Sequence, residues 1–341
     1  MNKLFDFSKA VESFFNDYLV KERGSSPHTI RAYRDAFVLL IEYFEVFLNL
    51  KPERIQLEDI TKKNIIDYLN WLERDKNVSI STRNHRLTVI KSFAHYMTYK
   101  DPTHLFLWKG ISSISNKKGE TGTLSYLTIE EIKILFEEID LTSEKGRRDL
   151  TLLSLLYNSA ARAQELVSLT PSSLRLSKPY VIEIFGKGKK KRIVPLEENI
   201  VRLLEQYIIE HKLDVPGMEY HPLFYNAWGE KLTTPGITYI INKYYKKAKE
   251  SHPDMFKNKI SPHVFRHSRA MHLLQAGVNL VYIRDILGHA SINTTEIYAR
   301  ADSDQKRKAL ESAYKKIGIT EPKTKSWERN NKLKEYLKSL A

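Results

Sequence analysis

Two segments near the middle of the chain hold residues that could act on a phosphate. In YNSAARAQELVSL, Arg162 comes at the end of an apolar stretch and Glu165 follows three residues later. The run GKGKKKR holds Lys187 among further lysines, and it lacks the GxxxxGK[ST] spacing of a nucleotide-binding loop. Each segment also has an ordinary explanation, because residues three apart on a helix form surface ion pairs and a lysine-rich turn is usually solvated.

Two later segments place further polar groups near helix ends. In SPHVFRHSRAMHLL, the Ser-Pro dipeptide marks a helix start, so His263 and Arg266 fall on one face of its first turn. A helix amino terminus favours anions, and the imidazole adds a donor that titrates near neutral pH. In DILGHASINTTEIYAR, His289 follows the glycine that ends a helix and Tyr298 lies on the next short helix. Taken alone, these are a helix-ending histidine and an ordinary half-buried aromatic.

Together, two arginines, a lysine, two histidines and a tyrosine are the set needed to cleave a phosphodiester without a metal ion. Guanidinium groups bind nonbridging oxygens in pairs and neutralise the charge of the transition state. A lysine can protonate the leaving 5′ oxygen, and an imidazole can accept the phenol's proton or hold an oxygen. A tyrosine, with an ordinary pKa of about 10, becomes a usable nucleophile beside such positive charge. Because a phosphotyrosine keeps the bond energy, the strand could be rejoined without ATP.

The composition favours a nucleic acid as partner. The 341 residues include 55 Lys and Arg against 41 Asp and Glu, a formal net charge of +14. Such a surplus suits a polyanion, although ribosomal and membrane-surface proteins share it. The absence of cysteine excludes disulfides, thiol nucleophiles and thiolate metal sites. We see no signal peptide and no run of about 20 apolar residues that could span a membrane, so we expect a cytoplasmic protein of two domains.

The first hundred residues predict a small bundle of helices. A stripe of apolar residues with a period of 3.6 follows Ser26-Pro27, and further helices are expected over Thr61–Arg74 and Ser81–Tyr99. The periodicity then dissolves, and from about residue 101 to 125 the sequence is typical of a flexible connector.

The second half predicts helices around a β-hairpin. Thr128 and Glu131 form a capping box at the first of these helices, and two β-rich runs around the Gly-Lys turn predict a hairpin over 180–196. Helices are expected near 128–139, 147–159, 197–211, 234–250, 262–276, 279–287 and 293–300. The lysine-rich tail, 302–341, is expected to form two more helices.

In this order and spacing, the four chemical segments resemble the signature of the tyrosine recombinases, the phage integrase and Xer family. The resemblance implies the catalytic residues Arg162, Lys187, His263, Arg266, His289 and Tyr298 (the nucleophile), with Glu165 in support. It extends to RGSSPHTIRAYRDAF and STRNHRLTVIKSFAHYM, and so covers the chain from about Phe7 to Arg300. Lys189 and Lys191 lie close to the matched lysine. Ala160-Ala161 departs from the family pattern, in which glycine and an apolar residue are more usual, and we expect this to be tolerated.

The resemblance also implies the fold and the partner. We expect a mainly α protein with a small β-sheet (α+β): a helical core-binding domain (1–106), a linker (107–125), a catalytic domain (126–321) and a tail (322–341) that contacts a neighbouring protomer. The two domains would form a C-shaped clamp around double-stranded DNA. The expected DNA contacts are Thr29, Arg31, Arg34, Arg83, Asn84, Arg86 and Lys91, mostly to phosphates.

The function implied is site-specific DNA recombination through a 3′-phosphotyrosine intermediate and a Holliday junction. The protein would be a homo-tetramer on two DNA sites and a monomer or weak dimer without DNA, acting as a mobile-element integrase or an Xer-like resolvase. No metal and no cofactor are implied. One alternative is a type IB topoisomerase, against which the tail and the Xer-like first domain argue. The other is a non-catalytic DNA-binding relative, which the six filled catalytic positions disfavour.

Overall fold

The computed structural model describes residues 6–119, 124–186, 190–257 and 259–301. The chain divides into two compact units, Met1–Gly122 and Thr123–Ala341. Lys187, Lys189 and the tail at 302–341, with its two expected helices, lie outside the described residues. Within those residues, no helix combines the length and the apolar character that crossing a membrane requires.

The first unit is a bundle of helices, as the sequence predicts. In chain order they are α1 (Phe7–Ser13, continuing as a π-helix over Phe14–Glu22), α2 (Pro27–Leu48), α3 (Lys62–Arg74), α4 (Ile80–Lys100) and α5 (Leu105–Ser112), with short 3-10 helices at Pro52–Arg54, Leu57–Asp59 and Pro102–His104. The side chains of Ser26, Thr61 and Ser79 each accept a hydrogen bond from the backbone N–H three residues on. These caps fix where α2, α3 and α4 begin, so the third predicted helix starts just before Ser81.

Aromatic side chains form much of the core of the first unit. Phe14 is buried, and its ring meets that of Phe93 edge to face with centroids 5.3 Å apart. Helix α5 adds Trp108 and Ile111, which are both fully buried. The linker expected over 107–125 therefore begins in a packed helix, because the apolar run LFLWKGI belongs to the core of this unit.

The second unit surrounds a small sheet with helices, in agreement with the predicted α+β class. Its elements are α6 (Ile129–Glu137), α7 (Glu144–Ser159), α8 (Ala163–Leu166), β1 (Leu174–Arg175), β2 (Val181–Phe185), β3 (Lys191–Pro195), α9 (Glu198–Glu210), α10 (Thr234–Ser251), α11 (Pro262–Gln275), α12 (Leu280–Leu287) and α13 (Glu296–Ala301), with 3-10 helices at Pro171–Ser173 and Ile292–Thr294. The capping box forms as predicted: Glu131 N–H donates to Thr128 Oγ1 (3.2 Å), and Thr128 N–H donates to Glu131 Oε2 (2.6 Å).

The hairpin predicted over 180–196 is present as β2 and β3, and the short strand β1 extends it to an antiparallel sheet of order β1-β2-β3. Ile182 lies opposite Val194, and Ile184 lies opposite Arg192. Directly opposed residues project from the same face of an antiparallel pair. Ile182, Ile184 and Val194 are buried, so Arg192 projects from the inner face of the sheet.

Helix α7 connects the core to the region of the chemical residues. Its leucines, Leu152, Leu153, Leu155 and Leu156, are fully buried, and it packs against α9 and α11. Because α7 ends just before Arg162 and α11 begins just before His263, the packing of α7 on α11 brings two of the four chemical segments together.

Candidate active site

Arg162 lies in the turn between two helices rather than at the end of one. Helix α7 ends at Ser159, Ala160 has a left-handed backbone with a φ of 49°, and Arg162 is the N-cap of α8. A left-handed backbone conformation at a non-glycine residue costs roughly 1–2 kcal/mol. This cost explains why glycine is usual at this position in the tyrosine recombinase pattern. The Ala160 methyl is buried in a cluster with Met271 and Tyr298, and about 0.8 kcal/mol from that burial offsets part of the strain.

Glu165 is the anionic centre of this turn. The backbone N–H of Arg162 donates to Glu165 Oε2 and its guanidinium to Oε1, both at 2.8 Å. Arg192 donates to the same two oxygens at 3.0 and 2.7 Å. Burial of Glu165, which is 6% exposed, by itself raises the pKa of its carboxyl, but the hydrogen bonds from Arg192 and Arg162 outweigh it and lower the pKa to about 2. The carboxylate is therefore ionised at neutral pH and orients Arg162.

Arg192 lies in the same site, although it is not among the candidates that the sequence indicates. Besides its pair with Glu165, its Nε–H donates to the carbonyl oxygen of Ile286 at 2.9 Å, so it connects the sheet to the end of α12. Gly288 caps that helix with a φ of 62°, and a Cβ there would lie 2.9 Å from Arg192 Cδ. The alternation of β3 was the available signal, because Val194 faces inward and the residue two positions earlier must do the same.

Arg266 is buried and holds two turns of the backbone in place. It is 3% exposed, and its guanidinium donates to the carbonyl oxygen of Ala160 at 2.6 Å and to that of Leu287. Burial and the nearby charge of Arg162 lower the pKa of Arg266 to about 10, which still leaves it charged at neutral pH. His263, one turn earlier on the same helix, is exposed.

His289 follows α12 and is held by a buried threonine. Its Nδ1 lies 2.9 Å from Thr295 Oγ1, and Thr295 is fully buried. Burial, followed by the positive charges of Arg266 and Arg162, lowers the pKa of His289 to about 4. The imidazole is therefore neutral at physiological pH.

Tyr298, on α13, packs against α11. Its hydroxyl lies beside His267, which the sequence did not indicate as a candidate. Tyr298 is 1% exposed, and its Oη lies 2.8 Å from Nδ1 of His267. Burial raises the pKa of Tyr298, while the charges of Arg266 and Arg162 oppose that rise. His267 directly follows Arg266 and lies about one turn after His263, so the helical spacing was a signal in the sequence, but His267 falls outside the HxxR pair.

Two of the catalytic candidates, Arg162 and His289, line an open cleft of about 660 Å³. Its basic lining residues are Arg162, Lys190, Lys191, Arg192 and Arg284, and His289 also lines it. The acidic lining residue Asp285 is paired with Arg284 at 2.7 Å. A concave surface with this excess of positive charge attracts anions.

The structure thus gathers Arg162, Glu165, Arg266, His289 and Tyr298 around one region. Lys187 lies outside the described residues, although its neighbours Gly186 and Lys190 line the cleft. Nowhere in the described ranges do three or more His, Cys, Asp or Glu side chains form a group that could hold a metal ion.

The seven DNA contacts expected in the first unit differ in exposure. Arg31 and Arg34 are exposed, Thr29, Asn84, Arg86 and Lys91 are half-buried, and Arg83 is buried. Arg34 forms an ion pair with Asp35 at 2.7 Å. The exposed positions remain available to a phosphate.

Arg83 differs from the exposed arginines of α2 in its surroundings. It is 7% exposed, and its Nε–H donates to Glu73 at 3.0 Å, so its guanidinium is engaged inside the bundle. Its neighbour Arg86 donates to the carbonyl oxygen of Ala32 at 3.1 Å. Helical spacing placed both arginines at the start of α4, but it did not show that the Arg83 guanidinium is buried on Glu73.

Known proteins are similar over most of the chain. The Phage integrase family signature matches residues 125–305, and that of the Phage integrase, N-terminal SAM-like domain matches residues 11–100. The integrase/recombinase y4rC of Sinorhizobium fredii is 33% identical over 91% of this chain and 92% of its own. The tyrosine recombinase XerD of Staphylococcus epidermidis is 32% identical over 87% of this chain and 96% of its own.

Solved structures share the fold. The XerH site-specific recombinase bound to palindromic difH substrate has a TM-score of 0.68 at 23% identity, covering 87% of this chain and 83% of XerH. The Tn1549 transposon integrase in complex with transposon right-end DNA also has a TM-score of 0.68, at 18% identity, covering 87% of this chain and 98% of the integrase. With two family signatures and relatives matched over nearly their full length, the chain belongs to the phage integrase family of tyrosine recombinases, and it is a site-specific recombinase that cleaves and rejoins DNA.

Proposed function

We propose that Tyr298 attacks the scissile phosphate to form a 3′-phosphotyrosine, while Arg162 and Arg266 bind its nonbridging oxygens. The observation that carries this proposal is the convergence of these three side chains: the charges of both guanidiniums act on the Tyr298 hydroxyl against the effect of burial. Glu165 holds Arg162 at the cleft by accepting one hydrogen bond from its guanidinium and one from its backbone N–H. A preorganised charge pair of this kind stabilises the pentavalent transition state without having to reorganise.

In this proposal the lysine and the two histidines assist the attack of the tyrosine. Lys187 protonates the leaving 5′ oxygen, which fits the position of Gly186 and Lys190 at the edge of the same cleft. His263 and His289 donate hydrogen bonds to nonbridging oxygens. The neutral state of His289 supports this role, because a neutral imidazole held at Nδ1 keeps its other nitrogen for the substrate.

The proposed substrate is a double-stranded DNA recombination site. The net charge of +14 supports a polyanionic partner, and both XerH and the Tn1549 integrase were solved on DNA. We assign residues 1–106 to DNA binding and 126–321 to catalysis, and the tail at 322–341 to contact with a neighbouring protomer. In this assembly four protomers on two sites exchange strands through a Holliday junction, as a mobile-element integrase or an Xer-like resolvase does.

A covalent-capture experiment tests the nucleophile. The full-length protein is first used to select the duplex that it prefers from a randomised library. That duplex is then nicked near the cleavage position so that cleavage becomes irreversible. We expect wild type to form a protein–DNA adduct and Tyr298→Phe to form none while binding the duplex equally well. The substitution removes one hydroxyl and hardly any buried area, so folding is preserved.

Tyr157→Phe is the matched control. The hydroxyl of Tyr157 also lies 2.8 Å from Nδ1 of a histidine on α11, His272. The arginine beside Tyr157 is Arg269, whose guanidinium lies 5.3 Å from the centroid of its ring, rather than a catalytic candidate. Tyr157→Phe should form the adduct at a normal rate. An adduct that persists in Tyr298→Phe would show that another residue attacks the phosphate.

A further inference from the structure

We propose that His267 is a catalytic residue that accepts the proton of Tyr298 during strand cleavage. This inference rests on the proposed role of Tyr298 as nucleophile and adds the destination of its proton. His267 is not part of the HxxR pair, which consists of His263 and Arg266.

Direct geometry carries the assignment. Nδ1 of His267 lies 2.8 Å from Tyr298 Oη, which is the distance of a hydrogen bond to the reacting atom itself. The two rings meet at a centroid distance of 5.7 Å. Tyr298 is almost fully buried, so water has little access to its hydroxyl and the proton needs an acceptor within the protein.

The other two imidazoles of the region are placed differently. Nδ1 of His289 is engaged with Thr295 Oγ1 at 2.9 Å. His263 is exposed, and its ring centroid lies 6.5 Å from that of His267. Among the described residues, the hydrogen-bond partner of the Tyr298 hydroxyl is His267.

The surroundings keep His267 able to accept a proton. Burial lowers the pKa of His267, and the charges of His263 and Arg266 on its own helix lower it further. Across from α11, the groups that face it are the Tyr298 phenol on α13 and the His289 imidazole after α12, which is itself neutral. No carboxylate contributes to the shift, so the imidazole is neutral at pH 7 and accepts the phenolic hydrogen bond with its own proton on Nε2.

The proton inventory of the step is balanced. As Tyr298 Oη forms its bond to phosphorus, its proton passes to Nδ1 of His267. The bond from phosphorus to the 5′ oxygen breaks, and that oxygen takes a proton from Lys187. In rejoining, the 5′ oxygen forms its bond to phosphorus as its proton returns to Lys187, the bond from Tyr298 to phosphorus breaks, and the imidazolium of His267 reprotonates the phenol.

The test uses single-turnover cleavage of the nicked duplex by full-length protein at saturating concentration, between pH 5 and 8. The variant is His267→Asn, whose amide occupies the region of Nδ1 and keeps a hydrogen bond but does not accept a proton at these pH values. The control is His272→Asn, on the same helix as His267. This substitution changes the matching hydrogen bond to the hydroxyl of Tyr157 on α7. A His267→Ala variant is also measured with and without added imidazole.

We expect cleavage by His267→Asn to slow by about 10² or more, the lower end of the effect of a general base. Because the pKa of His267 is lowered, the wild-type rate should fall only at a pH below the ordinary histidine value of about 6.5, and the variant should lose this dependence. Imidazole should restore part of the rate of His267→Ala, while His272→Asn should keep the wild-type pH profile.

Three results would overturn the inference. Unchanged cleavage by His267→Asn would remove His267 from the reaction, and faster cleavage would make it a restraint on Tyr298. Slower cleavage with the wild-type pH profile and no imidazole rescue would make its role structural. The Tyr298→Phe experiment separates the two proposals: an adduct in that variant refutes the nucleophile, whereas loss of the adduct with a normal His267→Asn refutes only the proton acceptor.

Discussion

Replacing Glu165 with glutamine tests the charge network under the active site. Glu165 accepts hydrogen bonds from Arg162 and Arg192 in a place where its side chain is almost fully buried. Glutamine has the same shape but no charge, and its amide NH₂ group, itself a donor, would face the N–H donors of the two arginines. The substitution therefore leaves two guanidiniums facing an uncharged group.

The magnitude follows from the pKa of Glu165, which falls from an ordinary 4.5 to about 2 in the folded protein. At about 1.4 kcal/mol per pH unit, this corresponds to roughly 3 kcal/mol of folding stability at pH 7. Removing one partner of a buried ion pair costs about 3–5 kcal/mol in general, which agrees. Because the folded pKa is depressed, this stability is fully present above pH 4.5 and is lost as the pH falls toward 2. The difference between wild type and Glu165→Gln should thus narrow by about 1 kcal/mol or more between pH 7 and pH 3.5.

The assay must distinguish the two units. Hydrogen exchange read by mass spectrometry across a urea series reports the unfolding of peptides from each unit separately. We expect Glu165→Gln to destabilise only the second unit. The control, Glu73→Gln, removes a carboxylate that pairs with Arg83 and Lys117 in the first unit and should destabilise only that unit.

The reasoning fails if Glu165→Gln loses less than about 1 kcal/mol at pH 7, because a buried, doubly paired carboxylate must cost more than that. It also fails if the loss is the same at pH 3.5 as at pH 7, since the carboxyl would then not be ionised in the folded protein with a depressed pKa.

Two further changes test the cleft from other sides. Gly288→Ala should destabilise the second unit by about 2 kcal/mol and slow cleavage, because Gly288 has a φ of 62° and a Cβ there would meet Arg192 Cδ at 2.9 Å. The control Gly277→Ala, at a φ of 86° with no atom within 4 Å, should cost only the backbone strain; equal effects in urea unfolding would deny the contact with Arg192. Lys187→Ala should slow cleavage of the nicked duplex by about 10² or more, and a 5′ bridging sulfur, which leaves without protonation, should restore the rate. Failure of the sulfur to do so would move the general acid to another lysine of the turn.

Local features were predictable because their causes are local. The Ser26-Pro27 start of α2, the start of α3 at Thr61 and the Thr128–Glu131 capping box depend on residues three apart along the chain, and each helix begins where the sequence predicts. The hairpin was readable for the same reason, because alternation and the turn are near-neighbour patterns. The chemical set, with its arginines, histidines and tyrosine, was likewise visible as residue types in order.

What failed depended on packing between distant segments. The sequence predicts that the run containing Trp108 belongs to a connector, but the bundle buries Trp108. Arg83 shares a helix start with exposed basic residues, but Glu73 on another helix receives it. No local pattern reports such partners, because burial is decided by the whole unit.

The sequence by itself determined which chemical groups the protein has for phosphodiester exchange: two arginines, a lysine, histidines and a tyrosine, in a recognisable order. Only the tertiary structure decided which atoms meet. Arg192 reaches Glu165 from a strand 27 residues away, and His267 reaches Tyr298 across 31 residues. Hydrogen bonds act over about 3 Å, so these partnerships exist only once α7, α11 and the sheet have packed, and they set the charge states on which the reaction depends.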